Sequence, residues 1–354
     1  MTATSRRSRD AGVRFLLAAA SFVVIIAGLR AAGDLILPFL IAVFLAVVNV
    51  PLMNWLVRMR VPKPLAVLLT ILTAVAVIAV LVAVLATSIN QLTAAAPAYE
   101  ARLRELGTSA MELGQRLGLP VEEWTSVELA PSGMFDLIGG VIGNTVRAVG
   151  LFLSNTFLVL LTVIFILFEA AGFGRKIRIA FGAEGDPFGP LSRMAGQVQT
   201  YLVAKTAVSA ATGLIVGIWV AVLGLDFPLL WGVIAFMFNF IPNLGSILAA
   251  IPAVLLAVVQ FGPGRAAVIA AGYLAINLVF GSVVEPTLMG RRLGLSTLVV
   301  FASLVFWGWV WGPVGMLFSV PLTMVVKIAL ENTTEFRWVA VMLDANPAAA
   351  SRES

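Results

Sequence analysis

The chain has 354 residues, of which 60% are hydrophobic and only 12% charged, with a mean hydropathy of +1.03; several apolar runs approach the ~20 residues that cross a bilayer, which excludes an ordinary soluble domain. With no cysteine and no histidine, it has no disulfides, no Cys/His metal site and no Ser-His or Cys-His nucleophile, so no enzymatic activity, catalytic residue, metal or cofactor is expected. The net charge of +5 sits in short loops beside apolar runs, where it reads as a topology signal and not as a nucleic-acid surface.

The expected architecture is an all-α polytopic membrane protein of about eight apolar segments. Arg6, Arg7, Arg9 and Arg14 precede an apolar run, and Arg30 stands where a cleavable signal would need small residues, so an uncleaved first helix is expected. Span 1 covers about 14–32 and span 2 about 35–56, joined by a turn holding Arg30 and Asp34. The loop from Arg58 to Lys63 carries three positives and no acid, and span 3 follows over about 65–89. Residues 90–147 form an extramembrane segment. Leu92, Ala96, Tyr99, Leu103, Leu106, Ala110, Leu113 and Leu117 recur there at alternating intervals of four and three, a heptad stripe suited to a neighbouring subunit or to the chain's own bundle. Span 4 (about 148–168) leads to a basic loop with Arg175, Lys176, Arg178 and Arg193. Gln197, Gln199, Tyr201 and Lys205 lead into span 5, about 203–224.

The last apolar blocks, 229–260 and 298–328, flank span 7 (about 266–284). Each would be roughly 45–48 Å long as a single helix, against a hydrocarbon core of ~30 Å. Each also carries breakers: Pro242 and Gly245 in the first, Gly312, Pro313 and Gly315 in the second. If both fold back as broken hairpins entering from opposite faces, 17 of the 23 Lys and Arg lie inside, Arg291 and Arg292 among them, as the positive-inside rule asks. That gives about six full spans plus two re-entrant hairpins. The chain then divides into spans 1–3 (1–89), the extramembrane segment (90–147), spans 4–5 (148–225), a transport unit (226–330) and a C-terminal tail (331–354). Non-helical backbone at membrane depth needs protein or a water-filled cavity around it, and interrupted apolar segments are the best sequence pointer to a transporter's binding site.

Polar groups in this half are few: Asn239, Asn243, Asn277 and Glu285. A carboxylate in the membrane costs about 2.5–3.5 kcal/mol on insertion scales, which makes Glu285 a functional candidate. Arg291 and Arg292 follow it by six and seven residues and offer partners. The candidate pathway is therefore Asn239, Pro242, Asn243, Gly245, Asn277, Glu285, Gly312 and Gly315, with Lys205, Arg291 and Arg292 as supporting charge; it lies where the two hairpin tips approach, with Asn277 and Glu285 between them.

Three segments carry a family resemblance: Phe240-Ile-Pro-Asn-Leu-Gly-Ser with Ile251-Pro252; Val284-Glu-Pro-Thr-Leu-Met-Gly-Arg-Arg-Leu-Gly-Leu-Ser-Thr297; and Trp307-Gly-Trp-Val-Trp-Gly-Pro-Val-Gly-Met-Leu-Phe-Ser-Val-Pro-Leu-Thr323. Over about 197–330 the chain resembles the autoinducer-2 exporter family. It departs from the family pattern at Asn243, Ser246 and Ser296-Thr297. The resemblance implies a multi-pass transporter of the bacterial inner membrane, with cytoplasmic termini, assembled as a homo-oligomer, a pentamer. Some family members are described as exporters of the quorum signal autoinducer-2 and others as sodium-proton antiporters. The expected function is secondary transport of a small solute or ion by alternating access, the hairpins and span 7 moving against spans 1–5. Cation/proton antiport through Glu285, a pore, and a membrane scaffold acting through 90–147 are the alternatives.

Overall fold

The computed structural model describes residues 16–17, 20–116, 158–169, 189–242, 244–289, 295–331, 333 and 337–344, and every regular element among them is helical. Five helices are long and apolar enough to cross a membrane, and shorter apolar helices accompany them. Large apolar side chains cover the exterior, Leu214, Ile218 and Val222 among them, while Lys205, Ser209 and Thr212 are buried beside an apolar core. Such an exterior is stable only in lipid, and buried polar groups of this kind are turned away from it. The chain is a multi-span membrane protein.

α1 (Ala20–Ala31) runs into α2 (Gly33–Arg58) through Ala32 alone, at φ −86° and ψ 9°. Those angles depart from α-helical values by about 23° and 51°, and no residue near them has positive φ. A departure of that size bends a helix but does not reverse it. The turn expected between two antiparallel spans is thus a bend. Arg30 lies over the Trp309 ring, 5.0 Å from its centroid.

Between α2 and α3 (Lys63–Arg116) the chain does reverse, with Arg60 at φ 68°. α3 joins the expected span 3 and the start of the extramembrane segment in one helix of 54 residues, about 80 Å long. Its heptad seam turns inward: Leu85, Leu92 and Tyr99, seven apart, pack with Trp231, Ile234 and Leu256. The stripe therefore lies on its own bundle as far as Tyr99; the side chains of Leu103, Leu106, Ala110 and Leu113 fall outside the description, as does Leu117. Of span 4, α4 (Leu158–Glu169) is described, and it packs Val159, Val163 and Leu167 against α2 and α3.

α5 (Gly189–Val222) crosses α6 (Pro228–Phe238) at close range. A Cβ on Gly213 would stand 2.5 Å from the Gly232 carbonyl oxygen, and one on Gly217 3.4 Å from that of Pro228. Gly213 and Gly217 are four apart, the small-residue spacing that lets membrane helices approach backbone to backbone.

Both long apolar blocks fold back on themselves. α6 ends at Asn239, and α7 (Gly245–Phe261) returns beside it. At the far end of this pair the Asp226 N–H donates to Gln260 Oε1 at 3.1 Å, and Gln260 Nε2 donates to the Gly224 carbonyl at 3.2 Å. The turn is tight enough that a Cβ on Gly245 would coincide with the Phe238 carbonyl oxygen, at 1.8 Å. α8 (Pro263–Val279) then passes through one π-helical turn, Phe280–Val284, into the short α9 (Glu285–Met289). α10 (Thr297–Glu331) leaves helical geometry at Trp311 and Gly312, where Gly312 takes φ 65°. Across that break Trp307 Nε1 donates to Thr323 Oγ1 at 3.0 Å; in a straight helix sixteen residues would separate them by about 24 Å. Gly315 is the close-approach glycine here, its Cβ 1.9 Å from the Trp307 carbonyl oxygen. α11 (Arg337–Leu343) closes the base of this second pair. The Ser296 N–H donates to the Leu343 carbonyl at 3.1 Å, and Lys327 Nζ pairs with Asp344 Oδ2 at 2.7 Å.

Candidate functional site

α5 carries the site. Tyr201, Lys205, Ser209 and Thr212 follow one another at intervals of four, four and three, which aligns them on one helix face. The opposite face carries the exposed Leu214, Ile218 and Val222. Each polar residue on the inward face meets a different element. Lys205 Nζ pairs with Glu285 Oε1 at 2.7 Å, and the two side chains are 4% and 24% exposed. One turn further along, Ser209 Oγ accepts from Asn239 Nδ2 at 3.0 Å. Thr212 lines a small cavity with Ser246, Tyr273 and Asn277.

The Lys205–Glu285 pair compensates two charges that would be costly alone. Taking one ion out of water costs several kcal/mol, recovered only with a well-placed partner, so losing either member leaves a stranded charge. The π turn sets the geometry. It packs five residues where an α-helix would wind differently, and the N–H of Glu285 bonds the Phe280 carbonyl across it. Insertions of this kind rotate the residues that follow, here directly before the carboxylate.

The expected site residues do not gather at one point. Asn239, half-buried Pro242 and Gly245 form the first tip, against α5. Asn277 lines the cavity beside α7. Glu285 is held by Lys205, a lysine across the fold and not a neighbour in sequence. Gly312 and Gly315 form the second tip, which reaches the bend between α1 and α2: Trp311 Nε1 donates to the Leu29 carbonyl at 2.9 Å, and its ring lies beside Gly33. Asn243, Arg291 and Arg292 lie outside the described residues. Phe44 of α2 touches both hairpins, its ring meeting Phe240 edge-on at 5.9 Å and Phe318 at 5.2 Å; α5 also packs on hairpin 2, where Tyr201 and Leu202 cluster with Val320 and Met324.

Sequence reasoning missed Ser209, Thr212, Tyr273 and Phe44. For Ser209 and Thr212 a signal existed, since polar residues at helical spacing from Lys205 mark an inward face. Phe44 gave none, because an aromatic residue within an apolar span looks like any other. Among the described residues no group of acidic side chains could hold a metal ion.

Comparison with known proteins assigns this arrangement. Residues 19–335 match the model of the AI-2E family transporters. The chain belongs to the AI-2E transporter family. It is 40% identical over 333 residues to the AI-2 transport protein TqsA of Escherichia coli (strain K12), covering 94% of this chain and 96% of the relative. It is 35% identical over 337 residues to the "Putative transport protein YhhT" of the same strain, covering 94% of each. A transport protein of Haemophilus influenzae, also named as putative, is 35% identical over 337 residues, 93% of this chain and 96% of that one. AI-2E membership covers both folded-back pairs and the polar face of α5. It is a family of transporters and not of enzymes.

Proposed function

We propose that this chain is a secondary transporter of a small solute, working by alternating access around the polar face of α5. The observation that carries the reading is the Lys205–Glu285 pair, its ammonium buried and its carboxylate partly exposed, at one end of a face that runs past Ser209 to Thr212. Single polar contacts tie membrane helices together, but ionisable side chains within spans are costly and mark substrate or ion pathways. The name of the relative TqsA supports autoinducer-2 as the solute to test first.

In this reading the two folded-back pairs are re-entrant hairpins that enter from opposite faces, and six further segments complete the membrane domain. The basic loop 58–63, Arg291-Arg292 and the C-terminus lie on the cytoplasmic side of a bacterial inner membrane, by the positive-inside rule. For the N-terminus the charges of Arg6, Arg7 and Arg9 argue for the same side. The working form is a homo-oligomer, a pentamer as the family resemblance implies. The moving parts differ from a simple division of hairpins against spans. Hairpin 1 is fastened to α5 by the Gly213–Gly232 crossing, and hairpin 2 to α2 by Trp311 and Phe318. Alternating access is then motion of the α5–hairpin 1 body against the α2–hairpin 2 body, sliding at the seam where Tyr201 and Leu202 of α5 pack with Val320 and Met324 of hairpin 2.

Reconstituted protein tests this directly. Proteoliposomes loaded with autoinducer-2 lose it faster than protein-free vesicles loaded alike, and Lys205→Met or Glu285→Gln removes the difference. Unitary currents in planar bilayers would replace the carrier by a pore. Equal flux in wild type and both variants would detach the pair from transport.

Cation/proton antiport is the second reading, favoured by the partial exposure of Glu285, whose carboxylate is open enough to exchange partners. It expects pH-dependent sodium efflux that disappears in Glu285→Gln; sodium-independent solute flux rules it out.

A further inference from the structure

Between α5, α7 and α8 lies a cavity of about 10 Å³, room for about one water molecule. Thr212, Ser246, Tyr273 and Asn277 turn toward it, against an apolar wall that includes Val216 and Ala249. Tyr273 is 6% exposed, and its hydroxyl finds no hydrogen-bond partner among the described residues. The Thr212 hydroxyl spends its proton on the Val208 carbonyl at 2.9 Å, which leaves its lone pairs to accept.

The chemistry of this lining selects its occupant. A buried phenol requires an acceptor, and the same occupant must donate to a hydroxyl or amide oxygen at Thr212, Ser246 or Asn277. A cation cannot accept from Tyr273, and among the described residues no carboxylate lines the cavity to balance its charge and no basic group is there to hold an anion. A neutral donor–acceptor with one heavy atom satisfies every constraint. We propose that a single water molecule binds in this cavity and bridges Tyr273 of α8 to Thr212 of α5 and Ser246 of α7.

The position gives this water a role. Ser246 follows Gly245, so the water lies directly behind the tip of hairpin 1. It is also about 10 Å along the same α5 face from Lys205, seven residues away. Water-mediated contacts are nearly as favourable as direct ones and re-form with new partners at little cost. A joint of this kind lets α7 shift against α5 and α8 without stranding a buried polar group, as two side chains bonded directly to each other would when pulled apart.

Radiolytic labelling of the full-length protein in ¹⁸O water reads the site independently of any transport. Tyr273 should take up label despite its burial, while the fully buried Trp231, whose Nε1 bonds the Asp226 carbonyl at 2.8 Å, should not. An unlabelled Tyr273 alongside a labelled, exposed Trp338 overturns the proposal. Tyr273→Phe keeps the ring and removes the hydroxyl. Loss of a bridged hydrogen bond lowers Tm by about 2–4 °C; a rise in Tm means that the hydroxyl was stranded, and the water is excluded. A sodium-dependent rise in wild-type Tm that vanishes in Tyr273→Phe would assign the cavity to a cation and equally overturn it.

Discussion

Lys205 and Glu285 compensate each other, and the consequence is measurable one residue at a time. Lys205→Met leaves a carboxylate facing apolar side chains and should cost about 3 kcal/mol, at the lower end for a broken buried pair because Glu285 keeps some contact with solvent. Glu285→Gln strands the more deeply buried ammonium and should cost at least as much. The double substitution should cost much less than the sum, since neither charge remains to be stranded. Thermal unfolding in one detergent, run on all four proteins, gives the coupling; strict additivity would mean that the contact contributes nothing. Glu285 stood out in the sequence because a membrane carboxylate is costly wherever it lies. Lys205 stood out as supporting charge, but not as its partner. Arg291 and Arg292 are near in the chain, whereas Lys205 is eighty residues away, and the π turn that aims the carboxylate has no signature in Phe280-Gly-Ser-Val-Val284.

Helix length and glycine placement decide the elements. The two hairpins were legible because no single helix of either block fits the bilayer, and because Pro242-Gly245 and Gly312-Gly315 mark the break. The tips depend on glycine for space: at Gly245 and Gly315 an added Cβ meets a backbone oxygen at 1.8 and 1.9 Å, which no side-chain adjustment relieves. Gly245→Ala and Gly315→Ala should therefore each destabilise by about 3 kcal/mol or more, the upper range for overpacking. Gly264→Ala, with nothing within 4 Å of the new methyl, should be neutral or slightly stabilising through helix propensity. Melting temperatures of the three variants test this, and equal values would mean that the tips are looser than described. The bend between α1 and α2 was not legible. Gly28, Arg30, Gly33 and Asp34 have the composition of a turn, but glycine permits a left-handed conformation without requiring it. A reversal at this site would need angles far from helical, and Ala32 does not take them.

At the scale of the whole molecule, each hairpin is clasped at its base by a different part of the chain. Tyr99 donates to Asp226, and an Arg102 guanidinium N–H donates to the Gln260 carbonyl at 2.9 Å, so the extension of α3 holds hairpin 1. Lys327 and Ser296 tie hairpin 2 to the C-terminal segment through Asp344 and Leu343. With both bases fixed, relative motion concentrates where the hairpins face each other across Phe44. The sequence contains no cysteine, so a pair introduced there is the one target of a short, reducible thiol–thiol crosslinker that spans the ring gap. Joining Phe44→Cys to Phe240→Cys ties the α2–hairpin 2 body to the α5–hairpin 1 body. It should abolish flux in proteoliposomes, with recovery on reduction. Joining Phe44→Cys to Phe318→Cys stays within one body and should leave most of the flux intact, although its ring separation is the shorter, 5.2 Å against 5.9 Å. The comparison controls for loss of the Phe44 ring, which both pairs share. Were both crosslinks to inhibit equally, hairpin 2 would also have to move against α2, and the two-body division would fail; were neither to inhibit, the hairpin tips would be static and the pathway would have to open elsewhere along α5.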